Sequence, residues 1–405
     1  MAITSIPGGV CAAKGFKAAG VCCGIRKKEK KDLALIVSEK KAAAACVYTT
    51  NLVKGAPLTV TKAHLADGYA QAVVCNSGNA NTCNENGVEI AEGMCALVEQ
   101  ATGIPAADVI VASTGVIGQK LSLESIAAGR PGLAAALSET GSDDAAQAIM
   151  TTDTKKKEVA FAFTLGGRTC HIGGVAKGSG MIHPNMATML VFVTTDAAVS
   201  PALLQKALRA DVEKSFNMIS VDGDTSTNDM VAVLANGMAG NETVETEGAD
   251  FDAFCAALSC VTFTLCRAIA ADGEGATKLL ECRVSGAAHV SAARAIAKSV
   301  VCSSLFKAAM FGADANWGRV LCAIGYAGVE VDVDAVSVAF CSNAGEVKVC
   351  EKGRGVPFSE EEAKKVLSES EIVIEIGLGD GDASAVAWGC DLTYDYVKIN
   401  GDYRT

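Results

Sequence analysis

The chain has 405 residues, 50% of them hydrophobic and 20% charged, with a formal net charge of −11. That length and texture predict a packed α/β-type protein of two or three domains and exclude a disordered one. The acidic balance argues against nucleic acid and anionic membranes as partners, and the basic runs "RKKEKK" (26–31) and "KKK" (155–157) read as solvated turns or strand edges.

The opening "MAITSIPGGVCAAKGFKAAG" lacks the basic and apolar regions of a secretory signal. The most apolar window, 253–266, is short for a bilayer and fits a buried helix. The cytoplasm is therefore the expected location. The 17 cysteines are odd in number and scattered singly, as at Cys95, Cys255, Cys302 and Cys322, so they read as reduced, buried small hydrophobes. With no Cys-x-x-Cys and four histidines, no structural zinc site is expected.

In chain order, "LALIVS" (33–38) and "QAVVCNSGNAN" (71–81) predict strands, the second running into a Gly/Asn loop. Ile90, Met94, Leu97, Val98 and Ala101 mark one face of a helix over 86–101. "ADVIVASTGVIG" (107–118) predicts a strand that breaks at Thr114-Gly115. "EVAFAFTLGGRTCHIGGVAKG" predicts a hairpin turning at Gly166-Gly167. Residues 189–195 form a buried strand. Ser200-Pro201 starts a helix, 251–271 is a longer one, and a polar loop over 271–287 feeds a strand. Beyond about 280 the texture changes to a helix at 289–302, a loop "FGADANWGR" (311–319), strand-rich sequence and a helix at 359–369. These features predict α+β with mixed sheets covered by helices, divided into 1–280 and a smaller 281–405. There is no internal repeat.

Several motifs carry candidate chemistry. "IEIGLGDGD" (374–382) is a poor dinucleotide fingerprint and reads as a glycine turn between strands. "KGSG" (177–180) has its lysine before the glycines, unlike a phosphate loop. Asp222, Asp224 and Asp229 in "DGDTSTND" lack calcium-loop spacing and read as a solvated turn. "STGVIG" (113–118) ends a strand in Thr-Gly, where backbone N–H groups can face a developing oxyanion. "AKGSGMIHPNMATML" (176–190) sets an irregular, glycine-punctuated loop before a buried strand. If the Ala187–Thr188 peptide is strained, the Thr188 hydroxyl can attack the preceding carbonyl. An N→O acyl shift and hydrolysis would then leave a chain whose terminal amine serves as base for its own hydroxyl. The other reading is an ordinary threonine opening a strand.

At this point the residues resemble a known family. "PGGVCAAKGFKAAG", "CNSGNANTCN", "ASTGVIG", "TTDT", "KGSGMIHPNMATML", "DGDTSTND", "SAARAIAKSVV", "FGADANWGR" and "DYVKINGDYRT" together are similar to the ornithine acetyltransferase (glutamate N-acetyltransferase) family of arginine biosynthesis, from about residue 7 to Thr405. The resemblance implies an αββα four-layer sandwich, like N-terminal-nucleophile hydrolases in layering but not in connectivity, plus a smaller C-terminal domain. It implies self-cleavage between Ala187 and Thr188 into α and β chains that assemble as α2β2. Thr188 would carry the acetyl group from N2-acetylornithine to glutamate in a ping-pong route. Thr114 and Gly115 would form the oxyanion hole. Thr152, Lys177, Thr188, Glu274, Asn400 and Thr405 would line the substrate site, with Lys177 meeting an α-carboxylate and Glu274 an ammonium group. No cofactor is implied, and use of acetyl-CoA as a further donor is left open. The alternatives are a self-processing aminopeptidase or amidohydrolase, in which water is the acceptor, and an uncut amino-acid-binding protein.

Overall fold

The computed structural model describes residues 3–26, 30–183 and 189–402. In chain order the elements are β1 (Thr4–Ile6), β2 (Phe16–Val21), β3 (Leu33–Tyr48), α1 (Ala56–His64), β4 (Tyr69–Asn79), α2 (Gly87–Thr102), β5 (Val109–Val116), α3 (Leu123–Ala135), α4 (Ser142–Ile149), β6 (Lys157–Leu165), β7 (Arg168–Lys177), β8 (Leu190–Thr195), α5 (Pro201–Val212), β9 (Ile219–Ser220), β10 (Met230–Ala235) and α6 (Ala249–Ala271). There follow β11 (Leu279–Ala287), α7 (Val290–Cys302), α8 (Ser304–Phe311), α9 (Trp317–Gly325), β12 (Ser337–Ser342), β13 (Gly345–Glu351), β14 (Arg354–Gly355), α10 (Glu360–Leu367), β15 (Glu371–Gly377), β16 (Ala383–Cys390) and α11 (Tyr394–Asp402).

The first sheet runs β1-β6-β7-β8-β10-β3-β4-β5, with β2 also on β3. β3 explains its shape. Its first half pairs with β2 and β4, its second half with β10, and the register shifts between Val37 and Ala42. Successive side chains on a strand face opposite ways. Leu33 and Leu35 accordingly join an outer cluster with Ile90, Met94 and Ile126 of α2 and α3. Ala43, Ala45 and Val47 join another with Leu204 and Leu208 of α5 and Phe254 and Leu258 of α6. Between them, Ala34, Ile36, Ala42, Ala44 and Cys46 share a middle cluster with Val73, Ile110, Phe192 and Ala232. One strand thus feeds three apolar layers, and the fold is the αββα sandwich that the resemblance implied. The middle cluster also takes in Ala145, Ala148 and Ile149 of α4, which packs on β2, β3 and β7.

The second sheet runs β14-β13-β12-β15-β11-β16-β9. Apart from β9, all its strands follow residue 278, and the expected boundary at 280–281 falls inside β11 (Leu279–Ala287). One apolar cluster nevertheless continues from Ala43 to Cys390. The wedge is α6, packed on β6 and β7 of the first sheet and on β11 and β16 of the second. It is long and apolar enough to cross a membrane, but Phe254, Leu258, Val261, Leu265 and Ile269 are buried in the core.

Several expectations need correction. β3 continues to Tyr48 through "AAAACV", a run of low strand propensity whose pairing with β10 decides the outcome. α9 begins inside the expected 311–319 loop, where the Asn316 side chain accepts from the Arg319 N–H as a cap. Ser200 precedes α5, but its side chain accepts no capping bond. Cys322 is exposed, and Cys255 and Cys302 are half-buried. Lys157 is not a solvated strand edge: its side chain is 1% exposed and held between Asp153 and Asp272.

Candidate active site

A cavity of about 150 Å³ opens where the ends of several elements meet, and Thr114, Gly115, Thr152, Lys177, Glu274 and Asn400 all line it. Each arrives from a different local cause. β5 does not break at Thr114-Gly115 but runs on to Val116; its register against β4 shifts there, and Gly115 has φ +133° with a Cβ that would lie 2.3 Å from the Gly78 carbonyl carbon. That position excludes any side chain. Lys177 is the last residue of β7, is buried, and donates from Nζ to Thr114 Oγ1 at 3.3 Å. A hydroxyl has one hydrogen and two lone pairs, so the Thr114 hydrogen remains available to the cavity. A hydroxyl donor backed by a fixed cation suits a developing negative charge.

The loop after β7 is fastened from beneath. Gly178 N–H donates to Asp153 Oδ1 at 2.7 Å, and Ser179 Oγ donates to the Asp272 carbonyl at 2.7 Å. Lys157 Nζ joins the two carboxylates, at 2.7 Å to Asp153 and 2.6 Å to Asp272. Burial alone would raise the Asp153 carboxyl, but the charges of Lys177 and Lys157 and the Gly178 N–H bring it down to about 2. The loop positions Glu274, whose N–H donates to the Ser179 carbonyl at 3.0 Å. Gly180 lies so close that a Cβ there would fall 2.4 Å from the Glu274 carboxyl carbon. From α11, Asn400 Nδ2 donates to Glu274 Oε2 at 2.8 Å.

The other wall comes from residues 226–229, just before β10. Asn228 Nδ2 donates to the carbonyls of Ala80 at 2.6 Å and Ser113 at 3.0 Å, which fixes the backbone leading into Thr114. The solvated-turn reading of "DGDTSTND" describes the exposed Gly223 and Asp224. It fails for Thr227, Asn228 and Asp229, which are buried. The available signal was the apolar run "MVAVLA" that follows at once. Asp222 accepts from the N–H groups of Met181 and Ile182 at 2.5 and 2.8 Å. "IEIGLGDGD" is indeed a turn joining β15 to β16, and "KGSG" is followed by no helix among the described residues before β8.

His183 bonds Ser220 Oγ at 3.1 Å, and burial together with the Lys298 charge holds its imidazole down to about 4. It is not among the cavity-lining residues. Ala187, Thr188 and Thr405 lie outside the described residues. Met189, the first described residue beyond them, lines the cavity.

A family model for the ArgJ family matches residues 17–405. An arginine biosynthesis bifunctional protein ArgJ from Symbiobacterium thermophilum is 54% identical over 403 residues, covering 99% of each chain. The crystal structure of arginine biosynthesis bifunctional protein ArgJ from Bacillus halodurans is 49% identical. It covers 53% of this chain and 100% of its own, with a TM-score of 0.51. An ornithine acetyltransferase from Mycobacterium tuberculosis, solved in complex with ornithine, is 36% identical over 46% of this chain and 100% of its own, with a TM-score of 0.42. By the extent of the family match and the identity to its members, this chain belongs to the ArgJ family.

Proposed function

We propose that the cavity transfers an acetyl group from N2-acetylornithine to glutamate, giving ornithine and N-acetylglutamate. The chain is an acyltransferase of arginine biosynthesis. The observation that carries this reading is the meeting of the buried cation Lys177, the buried carboxyl group of Glu274 and the Thr114-Gly115 step of β5 in a single small cavity. Both substrates are amino acids. Lys177 meets an α-carboxylate, Glu274 receives the side-chain ammonium of ornithine, and Thr152, Asn400 and Thr405 complete the pocket. Thr114 and Gly115 stabilise the tetrahedral oxyanion in both half-reactions. Thr188 is the nucleophile and carries the acetyl ester between them.

The nucleophile is released by the chain cutting itself between Ala187 and Thr188. The Bacillus halodurans chain supports this, since it is matched along its whole length yet covers 53% of the present sequence, close to the share that follows Ala187. The two products assemble as α2β2 in the cytoplasm. The word bifunctional in the relatives' names supports acetyl-CoA as a second acetyl donor.

Intact mass spectrometry tests the reading. The expected result is two chains divided before Thr188, the second gaining about 42 Da after soaking with N2-acetylornithine and losing it when glutamate follows. Loss of the adduct to water at the same rate without glutamate would make the protein a hydrolase. A single uncut chain, or an adduct that persists in Thr188→Ala, would overturn the mechanism.

A further inference from the structure

Asp229 takes no part in the roles assigned so far. It is 2% exposed and lines the cavity with Thr114, Lys177 and Glu274. Its backbone is pinned on both sides: its carbonyl accepts from the Thr49 N–H at 3.1 Å, and the N–H of the next residue, Met230, donates to the Met189 carbonyl at 3.0 Å. Since β10 and β8 run parallel with Met230 opposite Leu190, Asp229 stands opposite Met189 at the head of β8. Asp229 Oδ2 is buried and has no hydrogen-bond partner among the described residues. Such an oxygen is costly unless it carries a proton or meets a ligand.

Burial pushes the Asp229 carboxyl well above the usual carboxylate range, against the Ser226 hydroxyl and the Lys177 charge. Among the described residues, the other titratable groups lining the cavity are Lys177 on β7 and Glu274 on the loop before β11. Lys177 is already directed at Thr114 and Glu274 at Asn400.

We propose that Asp229 holds the proton exchanged with the substrate nitrogen in both halves of acetyl transfer. This role rests on the reaction proposed above. In the first half the nucleophilic hydroxyl attacks the acetyl carbonyl, a C–O bond forms, and the hydroxyl proton passes to the neighbouring base. The C–N bond then breaks, and the departing nitrogen takes the Asp229 proton, leaving a carboxylate and a neutral amine. In the second half the neutral amine of glutamate attacks the ester and gives its proton to the Asp229 carboxylate. The C–O bond breaks, and the hydroxyl oxygen recovers the proton held by the base. Each group ends as it began, and water need not enter.

Two acetyl donors test this. An amide nitrogen needs a proton to leave, whereas the nitrophenolate of p-nitrophenyl acetate does not. Asp229→Asn is expected to slow acetylation by N2-acetylornithine by about 10²–10⁴-fold. Acetylation by p-nitrophenyl acetate should be slowed much less, and Asp229→Glu should recover part of the amide rate. In the unaltered enzyme the amide rate should fall as pH rises through an ionisation that leaves the ester rate untouched. This second measurement decides the matter if the variants are not cut or do not fold. Equal losses with both donors, no loss with either, or identical pH profiles for amide and ester would each overturn the role of Asp229. Failure of the unaltered enzyme to pass acetyl from N2-acetylornithine to glutamate would instead overturn the function itself.

Discussion

Asp153 and Asp229 are both buried and both within the field of Lys177, yet the structure treats them in opposite ways. Asp153 accepts from Lys157 and from the N–H groups of Gly178 and Thr151. Those donors and charges outweigh burial, so it remains a fixed negative charge under the cavity loop. Asp229 has an oxygen with no donor among the described residues, and burial prevails. The residue type and the burial are the same. The cations and donors that the fold supplies, Lys157 above all, decide whether a carboxyl organises its surroundings or stores a proton.

The comparison breaks first at Lys157. Lys157→Met leaves Asp153 and Asp272 buried without their cation, and urea unfolding should show a loss of about 3–5 kcal/mol. A loss no larger than that of a surface lysine would mean the two carboxylates do not depend on it. On the other wall, Asn228→Ala strips donors from the Ala80 and Ser113 carbonyls. A cost on the order of 3 kcal/mol is expected, because the Ala80 carbonyl keeps only the longer bond from Thr82 Oγ1, at 3.2 Å, and the buried Thr82 and Thr227 hydroxyls lose their acceptor on Asn228. Thr114 should shift with them, so acetyl transfer should fall along with the melting temperature. Unchanged transfer in a destabilised variant would separate Asn228 from the site.

Acid sharpens the contrast. The native Asp153 pKa is depressed, so its contribution is present above the unfolded carboxylate value near 4. It is lost as pH falls through about 2. The stability difference between the unaltered protein and Asp153→Asn should therefore shrink by about 2 kcal/mol across that window. For Asp229 the sign reverses. Its raised native pKa favours folding below the unfolded value, and that advantage is lost as pH rises through the native one. Asp229→Asn has no charge to bury, so its stability relative to the unaltered protein should rise as pH climbs above the unfolded carboxylate value near 4 and level off once the native group has ionised, the pattern of a residue kept for activity at the expense of stability. A stability difference that does not change with pH would mark Asp229 as structural.

Much of this was legible beforehand. The strands around 71–81, 107–118 and 189–195 and the helices at 86–101 and 251–271 follow from hydrophobic period, and each was found within a few residues of its expected place. Thr114 and Gly115 stand out because a Thr-Gly step at the end of an apolar run is a local pattern. Lys177 lies in one of the family motifs, Glu274 follows only from what the resemblance implies, and the structure brings both to the same cavity. In the sequence alone, Asp229 reads as part of a turn and Lys157 as part of a basic run.

Both of those readings failed for one reason. Sequence by itself determined which segments are strands or helices and where glycine must stand, since these depend on neighbours a few residues away. Whether a charged side chain is solvated, paired or isolated was decided by tertiary structure alone. Lys157 meets Asp272, 115 positions away, and Asn228 reaches the Ser113 carbonyl, also 115 positions away. The β3 bend is of the same kind: its alanines have little preference for a strand and become one because β10 pairs with them. The electrostatics of the cavity are set by groups that only the closed sandwich brings within a few ångströms, where burial removes the water that would otherwise level their differences.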